Sequence, residues 1–156
     1  MTPLQTCLHA SAVAYRGRGL LICGSSGSGK TSLAVEMLAL GADLIADDQV
    51  LVRAHRGDPS LSPPVGIQGL MELRGIGLIR LPSLSDIPLS LMVDLDQAPR
   101  ERLPEPAFRD LLGHPVHLIM GKGHPGLAPA LLAVMAAGGV RDPDAPLPGE
   151  DRGNDV

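Results

Sequence analysis

A chain of 156 residues with 44% hydrophobic content is long enough for one domain with a real core. Tyr15 and Phe108 are its only aromatic residues, so that core must be aliphatic, with no stacking platform for a base or for single-stranded nucleic acid. A formal charge of −4 without any basic stripe argues against a nucleic-acid partner.

The chain opens without a charged segment leading into an apolar one, so no secretory signal is expected. No apolar run approaches the length of a membrane span. Cys7 and Cys23 lack metal-like spacing and read as reduced, buried thiols. A cytoplasmic protein that does not engage membranes is expected. Leu8 to Ala14 reads as a strand, Arg16-Gly17-Arg18-Gly19 as a turn, and Leu20 to Cys23 as a second strand.

The run Gly24-Ser25-Ser26-Gly27-Ser28-Gly29-Lys30-Thr31 follows directly and fits G-x-x-x-x-G-K-[ST] at every fixed position. It lies between an apolar stretch and a helix-like one, Thr31 to Leu40, the context a phosphate cradle needs. Glycines allow successive N–H groups to turn inward. Those groups and the positive helix end hold phosphates. Lys30 would reach the β/γ-phosphates, and the Thr31 hydroxyl would sit on Mg²⁺. Since no aromatic platform is available, nucleotide affinity must come mainly from the phosphate end. A hairpin feeding straight into such a loop is unusual.

Beyond the helix, Gly41 suits a C′ position. An apolar strand then ends in Asp47-Asp48, followed by another apolar strand. That first strand is expected to lie beside the phosphate-loop strand. One of its terminal carboxylates could then hold Mg²⁺, and the other could take the proton of an attacking hydroxyl. Adjacent strand side chains point opposite ways, so the two acids should not share one job unless the chain turns. An Asp-Asp hairpin turn is the plainer alternative. His9, alone, reads as structural or exposed. His55, His114, His117 and His124 show no metal spacing.

His55 to Pro64 reads as a polar loop. Gly66 to Leu81 is apolar but broken by Glu72, Arg74, Gly75 and Gly77. Glu72 and Arg74 fit either a surface pair on an edge, or a metal-facing carboxylate with a cation for phosphoryl charge. Pro88 to Asp96 reads as a strand, Gln97 to Pro106 as a surface loop, and Phe108 to Leu112 as a short helix. Val116 to Met120 reads as a strand and Leu127 to Ala137 as a final helix. Arg141 to Val156 carries −3 of the chain's charge. The expected organisation is a catalytic domain over 1–138 and a disordered acidic Pro/Gly-rich tail over 139–156.

Four segments in this order resemble the HPr kinase/phosphorylase family. They are Leu8-His9-Ala10-Ser11-Ala12-Val13, the phosphate loop, Gly41-Ala42-Asp43-Leu44-Ile45-Ala46-Asp47-Asp48, and Met71-Glu72-Leu73-Arg74-Gly75-Ile76-Gly77-Leu78-Ile79. The last resembles the family signature E-I-R-G-L-G-I-I through Glu72, Arg74, Gly75 and Gly77. The resemblance implies an α/β P-loop kinase domain, phosphoenolpyruvate-carboxykinase-like, with a mixed sheet and flanking helices. It implies transfer of the ATP γ-phosphoryl group to a serine of the phosphocarrier protein HPr. Phosphorolysis of phosphoserine-HPr by inorganic phosphate, releasing pyrophosphate, is the reverse activity, and both ions are alternative ligands. It assigns His9, Lys30, Asp48 and Arg102 to catalysis, and Thr31 and Glu72 to Mg²⁺, with Asp47 supporting the metal or Lys30. A homo-hexamer is the assembly it suggests.

Several departures from the family pattern stand out. The family's large N-terminal domain is expected to be absent, since the matching histidine is residue 9. Ser32 replaces the usual Glu after the loop. Gly121-Lys122-Gly123-His124-Pro125-Gly126 replaces a motif like P-x-x-P-G-R-N that is tied to dephosphorylation. Kinase activity with weak phosphorolysis is therefore expected, with Lys122 or His124 as partial substitutes. The alternatives are a related kinase for another protein or a metabolite, and a non-catalytic nucleotide sensor. A sensor needs only the loop, so His9, Asp48 and Glu72 together argue against it.

Overall fold

Leu20, Leu21 and Ile22 are fully buried on both sides, because their strand runs through the middle of a mixed sheet. The computed structural model describes residues 4–54 and 57–147. Among these residues the elements are β1 Leu4–Leu8, β2 Ser11–Tyr15, β3 Arg18–Cys23, α1 Lys30–Ala39, β4 Asp43–Ala46, β5 Val50–Ala54, β6 Ser60–Ser62, β7 Leu70–Leu73, β8 Gly77–Arg80, β9 Ile87–Asp94, β10 Ala107–Leu111, β11 His114–Met120 and α2 Leu127–Ala137. The main path of the sheet is β1-β5-β6-β9-β3-β2-β4, with β11 and then β10 branching from β9. A separate hairpin joins β7 to β8.

Both helices cover one face of the sheet. Helix α1 buries Leu33, Ala34 and Met37, and α2 buries Ala128, Leu131, Leu132 and Met135, each set at helical spacing. They share a core with Val13, Leu20, Ile22, Leu91 and Val93. The alternate strand residues, among them Ala12, Leu21 and Met92, face the other way. They meet Ile45, Val50, Val52 and Leu61, so the β1-β5-β6 part of the sheet closes over that face. The inner side of the β7–β8 hairpin, led by Met71, packs into the helix-side core.

Several expectations need correction. The strand read over Leu8 to Ala14 is two strands, broken at His9-Ala10. β1 pairs with β5, whereas β2 pairs with β3 and β4. β4 does not lie beside the phosphate-loop strand, because β2 stands between them; the strand parallel to β3 is β9. β4 and β5 form no hairpin, so Asp47-Asp48 is a crossover rather than a hairpin turn. Phe108 to Leu112 is not helical. Residues 107–111 alternate between half-buried and exposed and pair with β11 through a two-residue turn, Leu112-Gly113, at φ 51° and 83°. The polar loop after His55 contains β6, and His55 lies outside the described residues. Cys7 is exposed rather than buried, because β1 is an edge strand.

The final helix has its expected bounds, and left-handed Gly138 ends it at φ 86°. Of the expected tail, residues 139–147 include a turn in which Ala145 N–H donates to Asp142 O, while 148–156 lie outside the described residues.

Candidate functional site

The phosphate loop fills the step from β3 to α1. Gly24 sits at φ 150°, and a Cβ there would come within 2.4 Å of Ser28 Oγ, so the tight start of the loop requires glycine. Ser28 N–H donates to Ser25 O at 3.0 Å, closing the turn. Ser28 Oγ is buried without a partner. Lys30 is buried, and its Nζ donates to Gly24 O at 2.8 Å and Ser25 O at 2.9 Å, which holds the ammonium against the loop. The open N-terminus of α1 and this cation make an anion-binding end.

Asp47 stands at the end of β4, one strand removed from β3, yet it reaches the helix start. Its Oδ1 accepts from Thr31 Oγ1 at 3.0 Å and from Ser11 Oγ at 2.6 Å. Asp47 is 8% exposed, and no basic side chain pairs with it among the described residues. Its hydrogen bonds come from neutral hydroxyls, so no protein cation among the described residues competes for this carboxylate. One carboxylate and one hydroxyl suit Mg²⁺, which takes its remaining ligands from phosphates and water. No group of three or more His, Cys, Asp or Glu able to hold a metal occurs among the described residues.

Asp48 turns the other way. Its φ of 68° is a left-handed conformation that aspartate tolerates. Its carboxylate comes out to solvent, where His9 Nε2 lies 2.9 Å from Oδ1. The break between β1 and β2 exposes His9 there, and Ala10 N–H donates to Asp48 O at 3.2 Å. The chain does turn between the two acids, and their contacts differ: Asp47 meets Ser11 and Thr31, and Asp48 meets His9.

The strand beside β3 brings a network that sequence reasoning missed. At the end of β9, Asp94 accepts from Arg109 Nη2 at 2.7 Å, from Gln97 Nε2 at 2.9 Å and from the Asp96 N–H at 2.8 Å. Burial alone would raise the Asp94 pKa, but the Arg109, Asp96 and Gln97 hydrogen bonds hold it below the usual aspartate value. Asp96 in turn accepts from Ser25 N–H at 2.7 Å and Ser25 Oγ at 2.8 Å, tying the loop to β9. Neighbouring Cys23 has its thiol pKa raised, chiefly by burial. The pattern of an apolar strand ending in Asp-Leu-Asp could have flagged these carboxylates. Arg109 had no such signal.

An open cleft of about 370 Å³ separates Ser25, Ser26, Gly27 and Ser28 from Leu95-Asp96 and Gly121-Lys122-Gly123. Lys122 therefore reaches the rim of the loop. Glu72, Arg74, Gly75 and Gly77 lie apart, on the exposed part of the β7–β8 hairpin. The hairpin encloses a concavity of about 410 Å³ that touches no loop residue. Glu72 and Arg74 form no hydrogen bond or ion pair with Asp47, Thr31 or Lys30. Arg102 is exposed in the segment between β9 and β10. The structure thus brings together His9 with Asp48, and Lys30, Thr31 and Asp47 with the loop. It does not join Glu72, Arg74 or Arg102 to them.

Residues 2–87 match the family model of the HPr serine kinase C-terminal domain. The chain is 33% identical over 149 residues to the HPr kinase/phosphorylase of Clostridium tetani, covering 88% of this chain and 49% of that protein. It is 34% identical over 159 residues to the HPr kinase/phosphorylase of Bordetella pertussis, covering 94% of this chain and 51% of that one. The chain therefore spans about half the length of these curated relatives. Its fold resembles the solved HPr(Ser) kinase/phosphatase of Coxiella burnetii, with a TM-score of 0.74, 22% identity, and coverage of 85% of this chain and 89% of that one. With more than half of its residues matched in sequence and its mixed α/β fold shared, the chain belongs to the HPr serine kinase C-terminal domain family.

Proposed function

We propose that this domain transfers the γ-phosphoryl group of ATP to a serine hydroxyl of HPr, with Mg²⁺. The observation that carries this reading is the division of labour between the neighbouring acids: Asp47 faces Thr31 of the phosphate loop, and Asp48 faces His9 in solvent. A donor end and an acceptor end thus meet at one crossover. Lys30 and the amides from Gly24 to Thr31 bind the phosphates. Thr31 and Asp47 would hold the metal; family resemblance adds Glu72, which here stands apart on the β7–β8 hairpin. Mg²⁺ supplies charge neutralisation at the phosphate oxygens.

The acceptor serine oxygen forms the new bond to γ-phosphorus while the β–γ bridging bond breaks and ADP departs. Asp48 takes the serine proton, and His9 orients that carboxylate by donating from Nε2. Arg102, by resemblance, meets the charge on the transferring group. Run backwards, protonated Asp48 returns its proton to the serine oxygen as phosphate attacks. Weak phosphorolysis follows from Gly121-Lys122-Gly123-His124-Pro125-Gly126, which offers Lys122 at the loop rim and no arginine.

The domain acts on HPr in the cytoplasm as a homo-oligomer, with a hexamer suggested by family resemblance and no nucleic-acid or membrane partner. Both cysteines are free, and no helix among the described residues is long and apolar enough to cross a membrane. The test is an assay of purified protein with Mg-ATP and HPr, reading serine phosphorylation by mass. One added phosphoryl group on an HPr serine is expected. Transfer to a different acceptor would sink the HPr assignment, and nucleotide binding with no transfer to any acceptor would leave a sensor.

A further inference from the structure

Ser11 is 1% exposed, on the strand between β3 and β4, and its Oγ lies 2.6 Å from Asp47 Oδ1. This is the shorter of the two contacts to that oxygen, since Thr31 Oγ1 lies 3.0 Å away. Among the described residues, Asp47 is the one hydrogen-bond partner of its hydroxyl.

The chemistry of that contact is specific. A hydroxyl has one proton, so Ser11 can anchor Oδ1 without cancelling the carboxylate charge. A lysine or arginine at the same place would anchor Asp47 and neutralise it, removing the attraction for a cation. Ser11 also relieves Thr31 of being the sole support for Asp47. Thr31 Oγ1 reaches both carboxylate oxygens, at 3.0 and 3.2 Å, so it alone would leave the carboxylate free to swing between them. With Oδ1 anchored from β2, Oδ2 stays directed at the helix start.

We infer that Ser11 is a positioning residue for the metal: it fixes Asp47 so that the carboxylate and Thr31 present a preformed pair of oxygens to Mg²⁺. The inference rests on the assignment of Thr31 and Asp47 to the metal made above. Outer-shell partners of this kind change metal affinity by about 10–100-fold when removed.

Ser11→Thr and Ser11→Val test it, because threonine and valine have the same shape and differ by the hydroxyl. Ser11→Ala is the smaller companion, should the larger side chains disturb the strand. Calorimetry measures ADP binding in excess EDTA and across a Mg²⁺ titration, with thermal unfolding as a check on the fold. ADP affinity without metal should stay within about twofold in all variants. The Mg²⁺ concentration needed to enhance binding should rise about 10–100-fold in Ser11→Val and Ser11→Ala, and Ser11→Thr should restore it. Asp47→Asn is the control. Unchanged Mg²⁺ dependence in Ser11→Val alone overturns the inference. Unchanged dependence in Asp47→Asn as well overturns the metal assignment with it. A loss of ADP affinity already present in EDTA makes Ser11 a support of the loop and overturns the inference.

Discussion

Asp47 and Asp48 share a peptide bond and a side-chain chemistry, but they live in different solvents. Asp47 is buried, with hydroxyls from β2 and from the first turn of α1 around it. The Asp48 side chain is 72% exposed, beside a histidine that is 55% exposed. Asp48 itself takes a positive φ at the turn between the strands. Burial strengthens electrostatic attraction, so the inner acid is suited to a fixed cation. The outer acid must meet a hydroxyl carried by another molecule, and only an exposed group can do that. In the proposed reaction, one crossover would serve both ends of the transfer.

The largest expected effect separates the two acids. Asp48→Asn should lower phosphoryl transfer by about 10²–10⁴-fold if it is the base. Mg-ATP affinity should stay within about twofold, because the phosphate cradle is untouched. Single-turnover transfer and calorimetric binding check this pair of outcomes. Unchanged transfer would make Asp48 a turn residue and dissolve the contrast.

A second experiment acts on the inner end. Lys30→Ala should weaken ATP binding and slow transfer together, each by about tenfold or more, if Lys30 contacts the phosphates in both the ground and transition states as proposed. A drop in transfer with unchanged binding would place Lys30 at the transition state only. Titrating ATP in single-turnover assays separates the two.

The smallest effect concerns the support for the loop. Arg109→Met removes the guanidinium from buried Asp94, whose pKa should then rise. The arginine side chain is 37% exposed, and Asp94 keeps two other donors, so a loss of about 1–2 kcal/mol in stability is expected. The sign with pH follows from the direction of the shift. A carboxyl with a lowered native pKa contributes stability that is present above the ordinary aspartate value and lost as pH falls through the native one. Wild type and variant should therefore differ at pH near 7 and converge only as pH falls below the native Asp94 value, read from urea midpoints. A difference that persists in acid would show that Arg109 acts through packing.

Much of the donor end was legible in the chain. The loop motif, the strand before it and the helix after it are local, and each appears within two residues of its expected place. Helix α2 was equally readable, because Gly138 stops it wherever the sheet lies. The family resemblance singled out His9 and Asp48, while their contact depends on the break between β1 and β2, which no local pattern marks. Residues 107–111 were misread because five residues with Phe108 and Leu111 fit a helical turn or a strand alike. Pairing with β11 decided between them.

By itself the sequence determined the phosphate cradle, the adjacent acids and the family signature on the β7–β8 hairpin. These depend on residue type and spacing over a few positions, where glycine conformation, helix polarity and side-chain charge act directly. Tertiary structure alone decided that β9 rather than β4 flanks the loop strand, that Asp94, Asp96 and Arg109 brace it, and that Ser11 anchors Asp47. Those contacts join residues far apart in the chain, and strand order is set by which buried faces pack together rather than by any local preference.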